Sequence, residues 1–368
     1  MLLKDNWYVG AWSAELEPGA ALARRICNQA LVLFRTETGA VAALEDRCIH
    51  RGMPLSQGGK CEGEIIRCPY HGLEFDAQGV CTRIPGQHQI PDAARVVSFP
   101  AIERDAMIWV WVGAVDRADP GQIPSYPYHR DPAWAWTHDI LEVEAGWLLL
   151  TDNLLDLSHL QYVHRKTIGG NPMEDARAQL SAVRDRDRVF VARWLLDMAA
   201  PPFHKQMCGF AGNIDRWQEI EFRPGFIQFY SGATDANTGA REGTRDGGMH
   251  LRHLHCITPE TETRTRYLFS VARNFRVDDA TLTQHMQQLA IATFLEDQVL
   301  LEVQQRRLAE DPNRALLDTC NDVGTVHARR IVAERAAAEA CSAQGPADGR
   351  RFVREPLQSQ LMRDAGRT

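Results

Sequence analysis

Two short stretches near the N-terminus decide how the first part of this chain folds: Cys48-Ile49-His50-Arg51-Gly52 and Cys68-Pro69-Tyr70-His71-Gly72. Each offers one thiolate and one imidazole, and each ends in a glycine that lets the backbone approach a bound group closely. Short β-forming segments surround them, separated by turns such as Thr36–Gly39 and Asp76–Gly79. Up to about residue 115 the sequence therefore predicts a small all-β unit with two ligand-bearing loops.

The spacing of these ligands favours an iron–sulfur cluster over zinc. Structural zinc sites usually pair Cys with Cys and His with His, two to four residues apart. Here one residue separates Cys48 from His50, and both pairs are mixed. Two His in place of two Cys on one iron of a [2Fe–2S] cluster is the Rieske arrangement, which raises the reduction potential to roughly −150 to +300 mV. We expect Cys48, His50, Cys68 and His71 to bind such a cluster, with a zinc site as the alternative.

A second group of polar residues follows in the middle of the chain. Asn153, Asp156 and His159 step by three, so they share one face of a helix predicted around residues 152–162. His164 would lie about 140° from His159 on an ideal helix, so we expect the helix to end or distort between them. Two His and one carboxylate form the metal-binding triad of non-haem Fe(II) oxygenases. With 13 histidines in the chain, such a His pair also arises by chance.

The third ligand of such a triad is expected on a long helix that begins near residue 279 and continues to about residue 308. This helix offers Glu296, Asp297 and Glu302 as carboxylates. Glu296 and Asp297 both have apolar residues at helical spacing around them, so periodicity does not choose between them. His285, on the same helix, is expected to be an ordinary polar residue.

The length of 368 residues favours more than one domain. Four prolines between residues 120 and 132 mark a boundary, after which helical and strand-like segments mix. We predict a first domain at 1–120, a second at 121–345 and a tail at 346–368. Residues 315–340 are expected to be mainly helical.

Composition excludes several classes of function. The formal charge of −7 argues against nucleic-acid binding, which requires a basic surface. No apolar run approaches the roughly 20 residues that span a bilayer, so we expect no membrane segment. Nine scattered cysteines make a poor disulfide framework and indicate a reducing compartment, so the cytoplasm is the expected location.

Taken together, the two motifs resemble those of the oxygenase (α) subunits of Rieske non-haem iron oxygenases. The resemblance covers about the first 310 residues and holds Cys-x-His…Cys-x-x-His and Asn-x-x-Asp-x-x-His-x₄-His in the right order. Three smaller stretches are similar to the vanillate O-demethylase, dicamba monooxygenase and toluenesulfonate methyl-monooxygenase group: Trp7–Gly10, Ile84–Gly86 and Thr258–Thr261. The chain is thus identified as a member of that family.

This resemblance implies an α+β protein: an all-β Rieske domain, then an antiparallel sheet with helices of the helix-grip type. It assigns His159, His164 and Asp297 as ligands of a mononuclear iron, because Phe294-Leu295-Glu296-Asp297 matches the ligand-bearing helix. It also makes Asp156 an acidic bridge between His159 and His71 of a neighbouring subunit in a homotrimer. Asn153 would support this site from beside the ligands.

The activity implied is monooxygenation of a methyl or methoxy group on a small aromatic acid, with O₂ as co-substrate. An NAD(P)H-dependent reductase, with or without a ferredoxin, would supply electrons. The alternatives are an aromatic ring-hydroxylating dioxygenase that forms a cis-diol and, from another class, a Rieske-type electron-transfer protein. The substrate contacts stay unassigned, although residues 203–256, with Asn213, His250, His253 and His255, are expected near the pocket.

Overall fold

The computed structural model describes residues 1–58, 61–165, 168 and 178–343. The tail predicted for residues 346–368 lies outside the described residues. The remainder divides into an N-terminal part made of short strands and a second part made of long strands with helices.

The N-terminal part is all-β, as predicted, and a single 3₁₀ turn at Ser13–Glu15 interrupts its strands before residue 112. Its strands form three antiparallel sheets in the orders β1-β11-β10, β2-β3-β4-β9 and β5-β6-β7-β8. They are β1 (Trp7–Trp12), β2 (Ala21–Ile26), β3 (Gln29–Arg35), β4 (Val41–Glu45), β5 (Cys61–Glu62), β6 (Ile65–Arg67), β7 (Glu74–Asp76), β8 (Cys81–Arg83), β9 (Ser98–Phe99), β10 (Ala101–Arg104) and β11 (Met107–Trp111).

The two predicted hairpins are present as β3–β4 and β7–β8. Asp76 stabilises the second turn because its carboxylate accepts hydrogen bonds from the main-chain N–H groups of Gln78 and Val80. The β4–β5 and β6–β7 connections come together, since the ring centroids of His50 and His71 lie 4.5 Å apart. These two connections carry the Cys48–His50 and Cys68–His71 motifs.

The second part is built on a seven-stranded antiparallel sheet in the order β12-β18-β17-β16-β15-β14-β13. Its strands are β12 (Ala135–Val143), β13 (Gln179–Asp185), β14 (Arg188–Ala199), β15 (Asn213–Arg223), β16 (Phe226–Asp235), β17 (Met249–Thr261) and β18 (Arg264–Arg273). Because side chains alternate along a strand, His253 and His255 of β17 lie on one face while Leu254 and Cys256 lie on the other.

Five helices complete the second part within the described ranges. They are α1 (Trp147–Leu155), α2 (Leu160–Val163), α3 (Pro202–Cys208), α4 (Ala280–Glu310) and α5 (Val323–Ala343). The carboxylate of Asp279 accepts a hydrogen bond from the N–H of Leu282, so α4 begins where the sequence predicted. None of the described helices combines the length and apolar character needed to cross a bilayer.

The last helix is shorter than predicted. α5 begins at Val323, so the stretch 315–340 is mainly helical, as predicted, but its first eight positions precede the helix. The carboxylate of Asp322 accepts hydrogen bonds from the N–H and Oγ1 of Thr319, at 2.6 and 2.8 Å. These contacts favour a turn over a continuous helix at this point, because a short polar side chain competes for the backbone.

The two faces of the large sheet have different neighbours. On the outer face, Leu254 and Cys256 share a buried cluster with Trp7 and Trp109 of the N-terminal part. The hydroxyl of Thr258 donates a 2.8 Å hydrogen bond to the carbonyl of Val9 across this contact. The inner face packs against α1 and α4, and it is the face that lines the functional site. The domain boundary near residue 120 stays a prediction.

Candidate metal centres and substrate cavity

The two N-terminal ligand loops have the same backbone design. In each loop the N–H of the glycine donates to the carbonyl of the cysteine four residues earlier, Gly52 to Cys48 at 2.9 Å and Gly72 to Cys68 at 3.1 Å. Both glycines have φ of 72°, a left-handed conformation that other residues rarely adopt. The same turn is therefore formed twice, and it brings the two motifs face to face.

The donor atoms of these loops are arranged with sulfur inside and nitrogen outside. Cys48 and Cys68 are each 2% exposed, and their thiols lie within hydrogen-bonding reach of each other. Burial raises the pKa of Cys48 to about 11. The rings of His50 and His71 are exposed, with their centroids 4.5 Å apart. Two buried thiols beneath two exposed imidazoles fit a Rieske cluster, because its outer iron takes the histidines.

The second motif lies on a helix that is broken at Asp156, where the sequence predicted one continuous stretch over residues 152–162. Asp156 has φ −104° and ψ 100°, and its carboxylate accepts hydrogen bonds from the N–H and Oγ of Ser158, at 2.8 and 3.0 Å. A 3₁₀ turn carries the chain to His159, and α2 ends just before His164, as the spacing of the two histidines required. The break, and not one helical face, positions His159.

His159, His164 and Asp297 come together, with their ligand atoms within 4.8 Å of one another. The Nε2 atoms of His159 and His164 lie 3.5 and 3.2 Å from the same carboxylate oxygen, Oδ1 of Asp297. Asp297 is 3% exposed and His164 is 1% exposed, so the three side chains meet in a buried place. Two imidazole nitrogens and one carboxylate on one side of a cavity fit a non-haem iron, which keeps other positions open.

The other nitrogen of each histidine also has a partner. Nδ1 of His159 lies 2.6 Å from the main-chain carbonyl of Asp156, and Nδ1 of His164 lies 2.8 Å from Oε2 of Glu296. Burial lowers the pKa of His164, but hydrogen bonds to Asp297 and Glu296 outweigh burial and raise it overall. These contacts leave both Nε2 atoms directed at the metal position, which is how such histidines are usually oriented.

The structure separates the three carboxylates that helical spacing left open. Asp297 points into the site, whereas Glu296 contacts the back of His164. Glu302 lies elsewhere, since it accepts hydrogen bonds from the N–H of Glu144 and the amide of Gln298. The sequence reasoning missed the role of Glu296 as a partner of a ligand, because that contact joins residues 132 positions apart.

Asn153 lies beside the triad, as expected. Its Nδ2 donates a 3.1 Å hydrogen bond to Oδ1 of Asp297. Its Oδ1 is buried and has no hydrogen-bond partner among the described residues. Asn153 also lines the cavity in front of the triad, so this oxygen can accept a hydrogen bond from a molecule bound there.

Comparison with known proteins agrees with both sites. A model of the Rieske [2Fe-2S] domain matches residues 6–100, and a model of the vanillate O-demethylase oxygenase C-terminal domain matches residues 143–338. The chain belongs to the vanillate O-demethylase family of Rieske oxygenases. As in that family, the chain is an oxidoreductase whose two parts house a [2Fe–2S] cluster and a mononuclear iron.

Individual relatives cover nearly the whole of this Rieske oxygenase. An iron–sulfur subunit of a toluene-4-sulfonate monooxygenase system from Comamonas testosteroni is 36% identical over 90% of this chain and 96% of its own length. A vanillate O-demethylase oxygenase subunit from a Pseudomonas strain is 36% identical over 85% of this chain and 96% of its own. The crystal structure of dicamba monooxygenase bound to dicamba superposes with a TM-score of 0.82, at 31% identity, over 92% of this chain and 98% of that one.

The oxygenase has a cavity of about 370 Å³ between the inner face of the sheet, α1, α3 and α4, and the metal triad forms part of its wall. Of the four residues predicted near a pocket, His253 and His255 line this cavity. His250 instead lies on the outer face of the sheet, where its ring stacks on Tyr230 at 5.8 Å. Asn213 is exposed and donates a hydrogen bond to the carboxylate of Asp197.

Proposed function

We propose that this oxygenase hydroxylates a methyl or methoxy group on a small aromatic acid, and that a hydroxylated methoxy group is then lost as formaldehyde. The observation that carries the proposal is that one largely apolar cavity of about 370 Å³ opens directly onto His159, His164 and Asp297. The names of its relatives, toluene-4-sulfonate monooxygenase, vanillate O-demethylase and dicamba O-demethylase, agree with such a substrate.

The proposal gives each candidate ligand a role. Cys48, His50, Cys68 and His71 would hold the [2Fe–2S] cluster, and His159, His164 and Asp297 would hold the mononuclear iron. When bound, the cluster supplies single electrons and the lone iron supplies a place at which O₂ is activated. A reductase that oxidises NADH, alone or through a ferredoxin, would deliver these electrons.

The residues around the triad orient its side chains and shape the substrate cavity. Glu296 accepts a hydrogen bond from Nδ1–H of His164 and so keeps its ring in one orientation. Asn153 holds the carboxylate of Asp297 and presents its free amide oxygen to the cavity. The apolar wall, which includes Leu157 and Phe294, excludes water and keeps a ring-shaped substrate beside the iron ligands.

We infer that electrons pass between two copies of the chain, with Asp156 as the bridge. The tip that carries His50 and His71 is exposed and apolar at Ile49 and Tyr70, which are 42% and 59% exposed. Near the second site, Tyr162 is 68% exposed, and so is much of the outer side of α4, at Leu295, Val299, Leu300 and Val303. Two exposed apolar areas, each beside one metal site, favour a head-to-tail ring of copies.

A homotrimer is the ring we propose, and its mass tests it. Light scattering on the purified protein should give three times the 41.4 kDa of one chain. Val299→Glu places a charge on the exposed apolar side of α4 and should lower that mass. Arg307→Glu, at another exposed position near the end of the same helix, is the control. A monomer for the unaltered protein would contradict the bridge as well as the ring.

We place the protein in the cytoplasm. All nine cysteines lie within the described residues and none of them forms a disulfide, including the buried Cys27 and Cys256. A chain with this many unpaired thiols suits a reducing compartment, where thiols are available to bind iron.

The experiment that tests the proposed function is a substrate screen with the complete enzyme. The protein, reconstituted with iron and sulfide under anaerobic conditions, is supplied with a vanillate-demethylase-type reductase and NADH. Methoxylated and methylated benzoates and benzenesulfonates are then added, and oxygen uptake and formaldehyde are measured. We expect uptake that depends on the substrate, with formaldehyde from the methoxy compounds. A cis-diol product, or electron transfer without any substrate-dependent uptake, would contradict the proposal.

A further inference from the structure

The cavity follows α4, and its lining residues on this helix run from Met286 to the proposed iron ligand Asp297. Met286 and Asp297 of α4 both line the cavity, and the step of eleven positions from one to the other corresponds to ~16 Å of helix. Asp297 marks the metal end. Met286 marks the far end, where it packs in one buried cluster with Met207 of α3 and Met249 of β17.

A buried histidine of the cavity lies on α3, the helix that contributes Met207 to this far-end cluster. His204 lines the cavity and is only 7% exposed, yet its Nδ1 has no hydrogen-bond partner within the part of the chain that the structure describes. A buried ring nitrogen without a partner is unfavourable unless a molecule bound in the cavity forms a hydrogen bond with it. Its neighbour Phe203 packs into the far-end cluster, which fixes α3 in this position.

A positive charge accompanies this histidine. Arg216 of β15 lines the same cavity. Burial, followed by the charge of Arg216, lowers the pKa of His204 to about 3. His204 is therefore neutral at physiological pH, and its ring can donate one N–H beside a guanidinium group. A guanidinium together with a neutral N–H donor is a binding set for an oxyanion.

The wall between the two ends is mostly apolar. Leu251, Leu289, Ala290 and Phe294 lie along it. Polar side chains that also line the cavity have hydrogen-bond partners within the protein: Oγ of Ser231 lies 3.3 Å from Nε2 of His253, and Nδ1 of His255 lies 2.6 Å from the hydroxyl of Tyr267. The cavity thus offers a place for a charged group at one end, an apolar slot for a ring, and a metal site at the other end.

We propose that Arg216 and His204 bind the anionic group of the substrate, a carboxylate or a sulfonate, at the end of the cavity opposite the iron ligands. This inference rests on the proposed function and narrows its substrate class. The acid and the methyl or methoxy group that is oxidised should lie across the ring from each other. Acids in which the two groups are neighbours on the ring should fit poorly.

Calorimetry under anaerobic conditions tests the proposal on the iron-loaded enzyme. The probes are 4-methoxybenzoate, 4-methylbenzenesulfonate, 2-methoxybenzoate and the neutral 4-methoxybenzamide. We expect both para anions to bind about 10- to 100-fold more tightly than the amide, since hydrogen bonds to charged groups are of that size. Whichever of the two para anions binds more tightly identifies the preferred acid.

Substitutions at Arg216 separate charge from shape. Arg216→Gln should weaken binding of both para anions by about 10- to 100-fold and leave the amide within about twofold. Arg216→Lys keeps the charge and should retain most of the affinity. His204→Phe keeps the ring and should weaken the anions by about tenfold. The matched control is Arg223→Gln on the same strand, because Arg223 pairs with Glu221 away from the cavity.

Several results would overturn the assignment. The first is that Arg216→Gln weakens binding of the amide as much as binding of the acids. The second is that 2-methoxybenzoate binds as tightly as its para isomer. The third is that Ser231→Ala, but not Arg216→Gln, weakens binding of the anions. The last result would place the anion in the middle of the cavity. Turnover distinguishes this inference from the proposed function. If the anions bind in a way that depends on Arg216 but no substrate is oxidised, only the proposed function is contradicted. If para acids are oxidised equally well without Arg216, only the anion site is contradicted.

Discussion

The two metal sites of this oxygenase are built in opposite ways. The Rieske tip is local: its four proposed ligands lie within residues 48–71, on two loops with the same backbone turn. The second site is assembled from distant parts, since the hydrogen bond between Asn153 and Asp297 spans 144 positions. The tip presents His50 and His71 to the surroundings, whereas the second site encloses His164 at 1% exposure. The exposed tip suits contact with another protein, whereas the buried second site suits enclosure of a small molecule.

The sharpest way to break this comparison is to remove a ligand from the tip alone. Cys68→Ser should abolish the visible absorption of the cluster and all measurable turnover. The reason is that one iron of a Rieske cluster is held by two thiolates, and each loop supplies one of them. The mononuclear iron should remain. Cys61→Ser is the matched control, since Cys61 is also buried but its thiol only donates to the carbonyl of Gly63. A coloured Cys68→Ser protein would contradict the ligand set.

The reciprocal change is made in the second site. His159→Ala should reduce turnover to background and abolish the signal of the mononuclear iron, because it removes one of only three protein ligands. The visible spectrum of the cluster should not change. The control is His285→Ala, an exposed histidine on α4. If His159→Ala bleached the cluster, the two sites would not be separate.

The features that could be predicted from the sequence are those formed by residues close together in the chain. The β3–β4 and β7–β8 hairpins, the two ligand loops and the Asp279 cap of α4 each depend on contacts within a few residues, so their spacing in the sequence predicts them. The all-β N-terminal part was confirmed for this reason, and the large antiparallel sheet, which the family resemblance implied, was confirmed as well.

The errors and omissions come from contacts that spacing does not show. The turn at Asp156 interrupts what reads as an unbroken helix, because a side-chain contact to Ser158 replaces helical pairing. Glu296 and Asp297 are equivalent by periodicity, and only the packing of α4 against His164 separates them. His204 and Arg216 belong to no sequence motif. Their proposed role is visible only in the fold, where the sheet and α3 place both of them in the wall of one cavity.

A smaller effect is expected where the two sites are proposed to communicate. Asp156→Asn should leave both metals bound and lower coupled turnover by about 100-fold, because an amide cannot provide the negative charge that orients two imidazoles. Asp185→Asn, an exposed change on β13, serves as the control. Iron analysis and oxygen uptake on the same samples measure the two effects separately. Unchanged turnover with full iron content would remove Asp156 from the electron path.

The smallest effect concerns the partner of a ligand. Glu296→Gln should weaken iron binding at the second site by about 10- to 100-fold, because the amide holds the Nδ1 proton of His164 less strongly than a carboxylate. Iron titration of the apoprotein measures this affinity, with the cluster spectrum as an internal standard. Glu302→Gln, six residues further along α4 and outside the site, should bind iron normally. Equal losses in both variants would show a general effect of charge on the helix.

The central claim is that one chain holds two different kinds of iron site. The most direct measurement is the iron and acid-labile sulfide content of protein reconstituted without oxygen and freed of loosely bound metal. The account predicts about three irons and about two sulfides per chain, from one [2Fe–2S] cluster and one lone ion. Zinc in place of iron, or iron with no labile sulfide, would contradict it.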